Sequence, residues 1–502
     1  FSPAMFNVSF TLEPGKLFKR QFASLAETAK SDVWWNGFPE DAAKNLIRLA
    51  NGEDGSEESL VAESFLIFHS DLPGPTLEQL EAFNTEEDVI KRLSALTYAW
   101  VFVYYSAKRK QLYLGRDVFG RHSLLYSSGG DSVTVCCAAR PSSLEWQEMP
   151  QAQFSVLSTE TPRDYVHFYP FLDDYEDDIH INWMKLFDSV QTKRITVYDK
   201  LFTVSRIVPS SSPTCPVDLM DKLQYSIRQQ LGPAPKSAAI CFSGGVDSML
   251  VARLLCDVLP EGLLVQLVNV AFGEEQTMPR ASDRNRAIDG LQYLRRTFPD
   301  RPIQLILVDV PAASMHSAMV FVSIATRPLS TVLDESLATV LFFALRGIGK
   351  DYDSGQPAGC LDNMRFLGSG ADELFAGYTR HRHRFNRDGS ATVAEECERE
   401  LRRLGARNGG RDGRIAALLE VDIRSPFLGE EVVEWANDLA VEDKAKLQLP
   451  KGHGDKRIIR LALGLLNAPH IAPKQAMQFG SGMVKMMGRK GARGSDASPN
   501  LE

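Results

Sequence analysis

Six consecutive residues, Ser243-Gly244-Gly245-Val246-Asp247-Ser248, combine types that could hold an anion and a metal ion at one point. Residues 236–242 before them are short and apolar enough for a buried parallel strand, and residues 248–259 after them repeat apolar side chains at helical spacing. A glycine turn between strand and helix aims backbone N–H groups and small hydroxyls at one spot. The helix N-terminus adds partial positive charge, so a phosphate binds there. Asp247 would repel a bare phosphate, but a magnesium ion between them would take oxygen ligands from both. The Gly-Lys-Ser/Thr ending of a Walker loop is absent. An ordinary strand-turn-helix without a ligand is the alternative.

The elements that must position this loop belong to a chain of 502 residues, long enough for two or three domains with large cores. Apolar residues at 44% and charged residues at 24% are the balance of a soluble globular protein. A net charge of -8 argues against a general nucleic-acid binder. The seven cysteines form neither metal-ligand spacing nor a disulfide framework, which favours a reducing compartment. Cytoplasm is the expectation. Lys16, Lys19 and Arg20 against Glu13 are too weak a signal for a transit peptide, and a mitochondrial location is the alternative. No apolar run is long enough to span a membrane, and no repeat is visible.

A helix is expected over 86–96, then strands over 100–105, 111–114, 123–126 and 132–137 separated by polar turns. Residues 51–58 form a polar surface insertion. The first domain, mostly β with some helix, covers 1–198, a Ser/Pro-rich linker covers 199–215, the second domain covers 216–484, and 485–502 is a disordered tail. In the second domain, apolar runs over 263–272 and 303–310, with a helix over 283–296 between them and a long helix over 331–348, alternate as in a doubly wound parallel sheet. Ligands are expected beyond the carboxyl ends of such strands.

Ser-Gly-Gly-x-Asp-Ser resembles the pyrophosphate loop of the N-type ATP pyrophosphatases, which activate a carboxylate or amide as an adenylate. Leu114-Gly115-Arg116-Asp117-Val118-Phe119-Gly120-Arg121-His122-Ser123-Leu124-Leu125-Tyr126 resembles a segment of the class II glutamine amidotransferases, whose N-terminal-nucleophile fold liberates ammonia from glutamine. Together they make nearly the whole chain resemble the asparagine synthetases. Asn269 to Phe272, Tyr378 to Arg382 and Lys474 to Gly480 look closer to the asparagine synthetase domain-containing branch than to the biosynthetic enzyme. The resemblance implies an α+β amidotransferase-like (Ntn) domain followed by an α/β synthetase domain of the adenine nucleotide alpha hydrolase type, with ATP and Mg2+ as cofactors.

The resemblance also assigns roles. Ser243, Gly244, Gly245, Asp247 and Ser248 would hold ATP's phosphates, and backbone near Val270 and Gly368 would border the adenine. Gly368-Ser369-Gly370-Ala371-Asp372-Glu373 matches a second family turn, making Asp372 the second magnesium ligand beside Asp247; two carboxylates opening a helix are otherwise caps. Lys456, in the Gly454 to Arg460 match, would offset charge as adenylate and pyrophosphate separate. On its own it would be part of a solvated helix face. Arg380 to Arg384 is a basic cluster suited to an anion or to solvent, and its histidines, two apart, do not share a helix face.

Departures fall where chemistry is expected. The family's nucleophile is a cysteine at residue 1, whose own α-amine is the base, and here Phe1 stands first. Cys136 reads as a buried strand residue instead. Asn36-Gly37 resembles the oxyanion pair, but Phe38 follows where an acid is usual, and Asn84 lacks the charge that would anchor glutamine's α-amine. The N-terminal domain is therefore expected to be inactive on glutamine. Ser369 replaces a family glutamate and cannot act as a carboxylate base, and Gly429 replaces an aspartate. Two readings follow: a ligase that adenylates a carboxylate, aspartate above all, for attack by ammonia; or a nucleotide-binding pseudoenzyme or structural subunit of a larger complex. Either is expected as a homo-oligomer or as a subunit of a larger assembly.

Overall fold

The structure, a computed structural model, describes residues 8–13, 16–21, 58–60, 63–70, 73–129, 132–136, 145–161, 166–170, 178–193, 199–206, 216–232, 235–471 and 475–487. Residues 51–57 of the expected insertion, Asn36, Gly37, Cys137, Lys474 and the tail from 488 lie outside them, and the insertion's last residue, Glu58, opens the strand Glu58–Leu60.

The alternating apolar runs of the first half fold into two six-stranded sheets. One runs Glu58–Leu60, Lys16–Gln21, Val8–Glu13, Ser132–Cys136, Leu125–Gly129, Gln147–Glu148 in spatial order. The other runs Val190–Thr192, Val166–Pro170, Gln153–Ser158, Gln111–Arg116, Trp100–Ser106, Phe65–Ser70. Every pairing is antiparallel except that of Val166–Pro170 with Val190–Thr192. The two-residue period divides the side chains of Trp100–Ser106. Val101 and Val103 face a core shared with Val133 and Val135 of the other sheet. Trp100, Phe102 and Tyr104 face the opposite way, toward Leu80, Val89, Ile90 and Leu93 on the helices Leu77–Glu81 and Glu86–Ser94. Cys136 is buried, as expected of a strand thiol.

The second half is built on a seven-stranded sheet ordered Pro357–Gly359, Ile348–Asp351, Ile303–Val310, Leu264–Phe272, Ser237–Cys241, Met364–Phe366, Asp422–Arg424. The five strands from Ile303–Val310 to Asp422–Arg424 are parallel, and Ile348–Asp351 and Pro357–Gly359 add an antiparallel edge. The order reverses at Ser237–Cys241, whose neighbours on either side are reached by crossovers. A cleft forms beyond the carboxyl ends at such a point.

Residues 199–206 do not behave as a free linker. Leu201, Phe202 and Val204 are buried, the first two in a core that includes Phe119 and Phe154 of the first half and Leu219 and Val432 of the second. Apolar residues at 201, 202 and 204 explain the difference from expectation, since exposing them would forgo burial of roughly 1.5–3 kcal/mol each. At the other end, the helix Met483–Met487 crosses the expected start of the tail at 485.

Polar groups also join the halves. Arg116 and Arg414, both fully buried, pair with the same carboxylate, Glu148, and Ser123 donates to it at 2.7 Å. Gln151 accepts from the Gly405 backbone N–H at 2.6 Å and donates to Leu401 O at 3.1 Å. Arg121 reaches Leu428 O at 2.6 Å and Glu430 at 2.8 Å. The charged turn at 114–123, matched above on glutaminase grounds, here works as the plug that seats one half on the other.

Candidate functional site

Strand Ser237–Cys241 ends where the Phe242 N–H donates to Val268 O at 2.7 Å, and the chain turns into helix Val246–Val258 through Ser243-Gly244-Gly245. Gly244 has φ +68, a left-handed conformation that glycine adopts without strain. The turn is braced by its own hydroxyls. The Gly245 N–H donates to Ser243 Oγ at 3.3 Å, and Ser248 Oγ donates to Gly245 O at 3.2 Å. Ser243 and Ser248 are thus held facing each other at 3.4 Å over the helix N-terminus.

The second turn leaves strand Met364–Phe366 and enters helix Ala371–Leu374 through Gly368-Ser369-Gly370. It packs directly on the first, since a Cβ on Gly368 would lie 2.9 Å from Asp247 Cβ. The two glycine turns therefore bring Asp247 and Asp372 to one place, which their separation of more than a hundred residues conceals.

What stands between them is Lys456. Its Nζ lies 2.5 Å from Asp247 Oδ2 and 2.8 Å from Asp372 Oδ1, and its side chain is fully buried. Lys456 caps the helix Arg457–Leu465 in a left-handed conformation, φ +48, with its N–H donated to Phe375 O at 3.2 Å. Asp455, held by Arg460 at 2.6 Å and by the Gly452 N–H at 2.7 Å, fixes the loop that delivers it. Burial works against the ammonium charge, yet the two carboxylates outweigh it and hold the Lys456 pKa above the usual lysine value. A solvated helix face is excluded for this lysine.

The turns open into a cavity of about 520 Å³ lined by Ser243, Asp247, Ser248, Val270, Gly368 and Asp372 among others. Among the described residues no group of three or more His, Cys, Asp or Glu side chains could hold a metal ion. Two carboxylates still suit magnesium, which takes one or two of them and completes its shell with water and substrate phosphate. Asp247 Oδ1 is buried and has no hydrogen-bond partner among the described residues, so an oxygen ligand is available there.

The sequence did not single out a second cluster in the same cavity. Tyr378 Oη donates to Glu373 Oε1 at 2.7 Å, and Asn408 Nδ2 donates to the same oxygen at 2.7 Å. Burial first and Asp372 second push the Glu373 carboxyl up, and burial and Glu373 raise the Tyr378 phenol. The adjacency Asp372-Glu373 and Tyr378 five residues later were the available signals; Asn408, on another helix, gave none.

The basic cluster at 380–384 finds its partners inside the chain. Arg380 pairs with Glu400, Arg384 with Glu396 at 2.8 Å, and the buried His381 lies 3.0 Å from Glu400. Helix Thr379–Asp388 therefore docks on Ser390–Arg402 through these charges and is not a free anion site. Asn84 is exposed in the bend before Thr85, which caps helix Glu86–Ser94. Asn36 and Gly37, the other expected glutaminase residues, lie outside the described residues. The five described cysteines are free thiols. Among the described residues no helix is long and apolar enough to cross a membrane.

Residues 218–395 match the family model described as asparagine synthase. Asparagine synthetase domain-containing protein 1 of Bos taurus is 29% identical over 89% of this chain and 86% of its own. The Homo sapiens protein of that name is 28% identical over 81% of this chain and 80% of its own. An asparagine synthetase domain-containing protein of Drosophila melanogaster is 25% identical over 91% of both chains. A solved allosteric regulatory enzyme of purine biosynthesis superposes over 59% of this chain and 60% of its own at a TM-score of 0.15, too slight a likeness to describe a shared fold. Residues 218–395 thus carry an asparagine synthase domain, and most of the chain is similar to relatives named for that domain.

Proposed function

We propose that the chain is an ATP-dependent ligase that adenylates a carboxylate, aspartate being the first acceptor to test, and passes it to ammonia. The observation that carries this reading is the Asp247–Lys456–Asp372 arrangement at the meeting of two glycine turns, at the carboxyl ends of a parallel sheet. The loop N–H groups and the hydroxyls of Ser243 and Ser248 would bind the phosphates, with Val270 and Gly368 bordering the adenine. An acceptor carboxylate oxygen would attack the α-phosphorus, breaking its bond to the bridging oxygen of pyrophosphate. Ammonia would then attack the acyl carbon, lose a proton and expel AMP.

Lys456 is buried and already ionised, so it would offset charge developing on the pyrophosphate without reorganising. Asp247 and Asp372 would hold Mg2+, which when bound neutralises phosphate charge and orients the triphosphate. Ammonia would come from solution or from a partner, since the uncharged, exposed Asn84 cannot anchor glutamine's α-amine.

A nucleotide-binding pseudoenzyme is favoured by one observation. Ser369 lines the cavity at the family's glutamate position, where it offers a hydroxyl and no carboxylate. Pyrophosphate release from magnesium-ATP separates the two. Release that requires aspartate and is supported by ammonia but not glutamine supports the ligase with a silent amidotransferase domain. ATP binding without release under any condition supports the pseudoenzyme.

A further inference from the structure

The segment 475–481, part of a motif to which the proposed chemistry gives no task, forms one wall of the cavity. It is tied down at both ends. Ser282 Oγ donates to Gln475 Oε1 at 2.8 Å, and the Phe272 N–H donates to Ser481 O at 2.8 Å. Gly480 lies so close to the Asp283 carboxylate that a Cβ there would overlap it. The segment is thereby laid over the end of strand Leu264–Phe272, beside Asn269 and Val270.

Two of its side chains carry a polar oxygen without a partner among the described residues. Gln478 and Ser481 are 4% and 2% exposed, both line the cavity, and Gln478 Oε1 and Ser481 Oγ have no hydrogen-bond partner among the described residues. Buried polar atoms in folded proteins are almost always satisfied, so these two await something that enters the cavity. Asp283, which sits against the same segment, is already paired with Arg286, so this wall offers an incoming phosphate no free cation. A neutral hydrogen-bonding edge meets the requirement.

We infer that Gln478 and Ser481 are base-recognition residues that read the purine of the bound nucleotide and favour adenine over guanine. This rests on the nucleotide reading above. A glutamine amide presents an acceptor and donors side by side, matching the N6 amino group and adjacent ring nitrogen of adenine. Guanine presents O6 beside N7, two acceptors, and leaves the amide carbonyl facing another oxygen. The Ser481 hydroxyl can donate or accept and completes the contact.

The test compares ATP, GTP and inorganic tripolyphosphate, each with Mg2+, by titration calorimetry on the full chain. Gln478→Leu is expected to weaken ATP about tenfold, to weaken GTP much less and to leave tripolyphosphate unchanged. Ser481→Ala should shift ATP in the same direction by a smaller factor. Gln478→Glu keeps the shape but replaces the amide donor with an acceptor, so it should also lose ATP selectivity while retaining tripolyphosphate binding, a control for folding. ATP affinity unmoved by all three substitutions, or ATP binding no tighter than tripolyphosphate in the wild-type chain, overturns the base assignment alone. A wild-type chain that binds neither ATP nor tripolyphosphate overturns the nucleotide reading and this assignment together.

Discussion

Gly377 and Lys456 compete for the same space: a Cβ built on Gly377 would overlap both Lys456 Cε and Asp372 Oδ1. The backbone at 377 therefore serves as the floor on which the ion triad rests. Gly377→Ala should displace the ammonium, destabilise the protein by about 1–3 kcal/mol as an overpacked site, and weaken magnesium-ATP binding. Thermal melting and nucleotide titration on the same sample check this. An alanine variant that binds ATP like the wild type would show that the triad does not set the affinity.

Asp247 and Lys456 should separate two roles. Asp247→Ala leaves Lys456 paired with Asp372, so the fold should persist while the magnesium dependence of ATP binding is lost. Lys456→Met removes a fully buried cation from between two carboxylates. It should cost about 3–5 kcal/mol of stability and lower pyrophosphate release by about 10²–10³-fold. Magnesium-dependent ATP binding retained by Asp247→Ala would contradict the ligand assignment.

Much of this site was legible in the sequence because its parts are local. A strand, a glycine turn and a helix lie within about twenty residues, and the 3.6 and 2.0 periods mark their limits to within a few residues. Ser237–Cys241, Val246–Val258 and Ile303–Val310 fall where the pattern puts them. Contacts between distant segments were not legible. No periodicity announces that Lys456 will be fully buried between Asp247 and Asp372, that Asn408 will meet Glu373, or that Gln478 will face the cavity. The basic cluster at 380–384 misleads for the same reason, since its neutralising glutamates, Glu396 and Glu400, come from the next helix. The turn at 114–123 gave its location by resemblance, but its docking of one half on the other rests on Glu148, Gln151 and Arg414, which no local pattern links to it.

Glu148 is the sole carboxylate paired with both Arg116 and Arg414 among the described residues, and all three are nearly inaccessible to water. Glu148→Gln keeps the shape and hydrogen-bonding capacity but leaves two guanidinium charges buried without compensation. The expected loss is about 3–5 kcal/mol, read as a fall in the denaturation midpoint. Because the charges bridge the halves, limited proteolysis should also show earlier separation of the N-terminal half. A midpoint unchanged by the substitution would mean that the carbonyls of Met149 and Gly405 around Arg116, and of Ala325 and Thr326 around Arg414, suffice to hold the arginines without the carboxylate.

Asp283 gives a pH dependence with a definite sign. Burial pushes its carboxyl up to about 6, and the Arg286 guanidinium only partly opposes the shift. A carboxyl whose folded pKa lies above its unfolded value binds more protons in the folded state between about pH 4 and pH 6. Its contribution to stability is therefore greatest below that window and declines as pH rises through about 6, by at most about 3 kcal/mol. Asp283→Asn cannot titrate and should lack this slope. The difference in melting temperature, wild type minus variant, should fall between pH 4 and pH 6.5 and then level off. A difference that stays flat across that range would show that Asp283 remains ionised beside Arg286 in the folded protein.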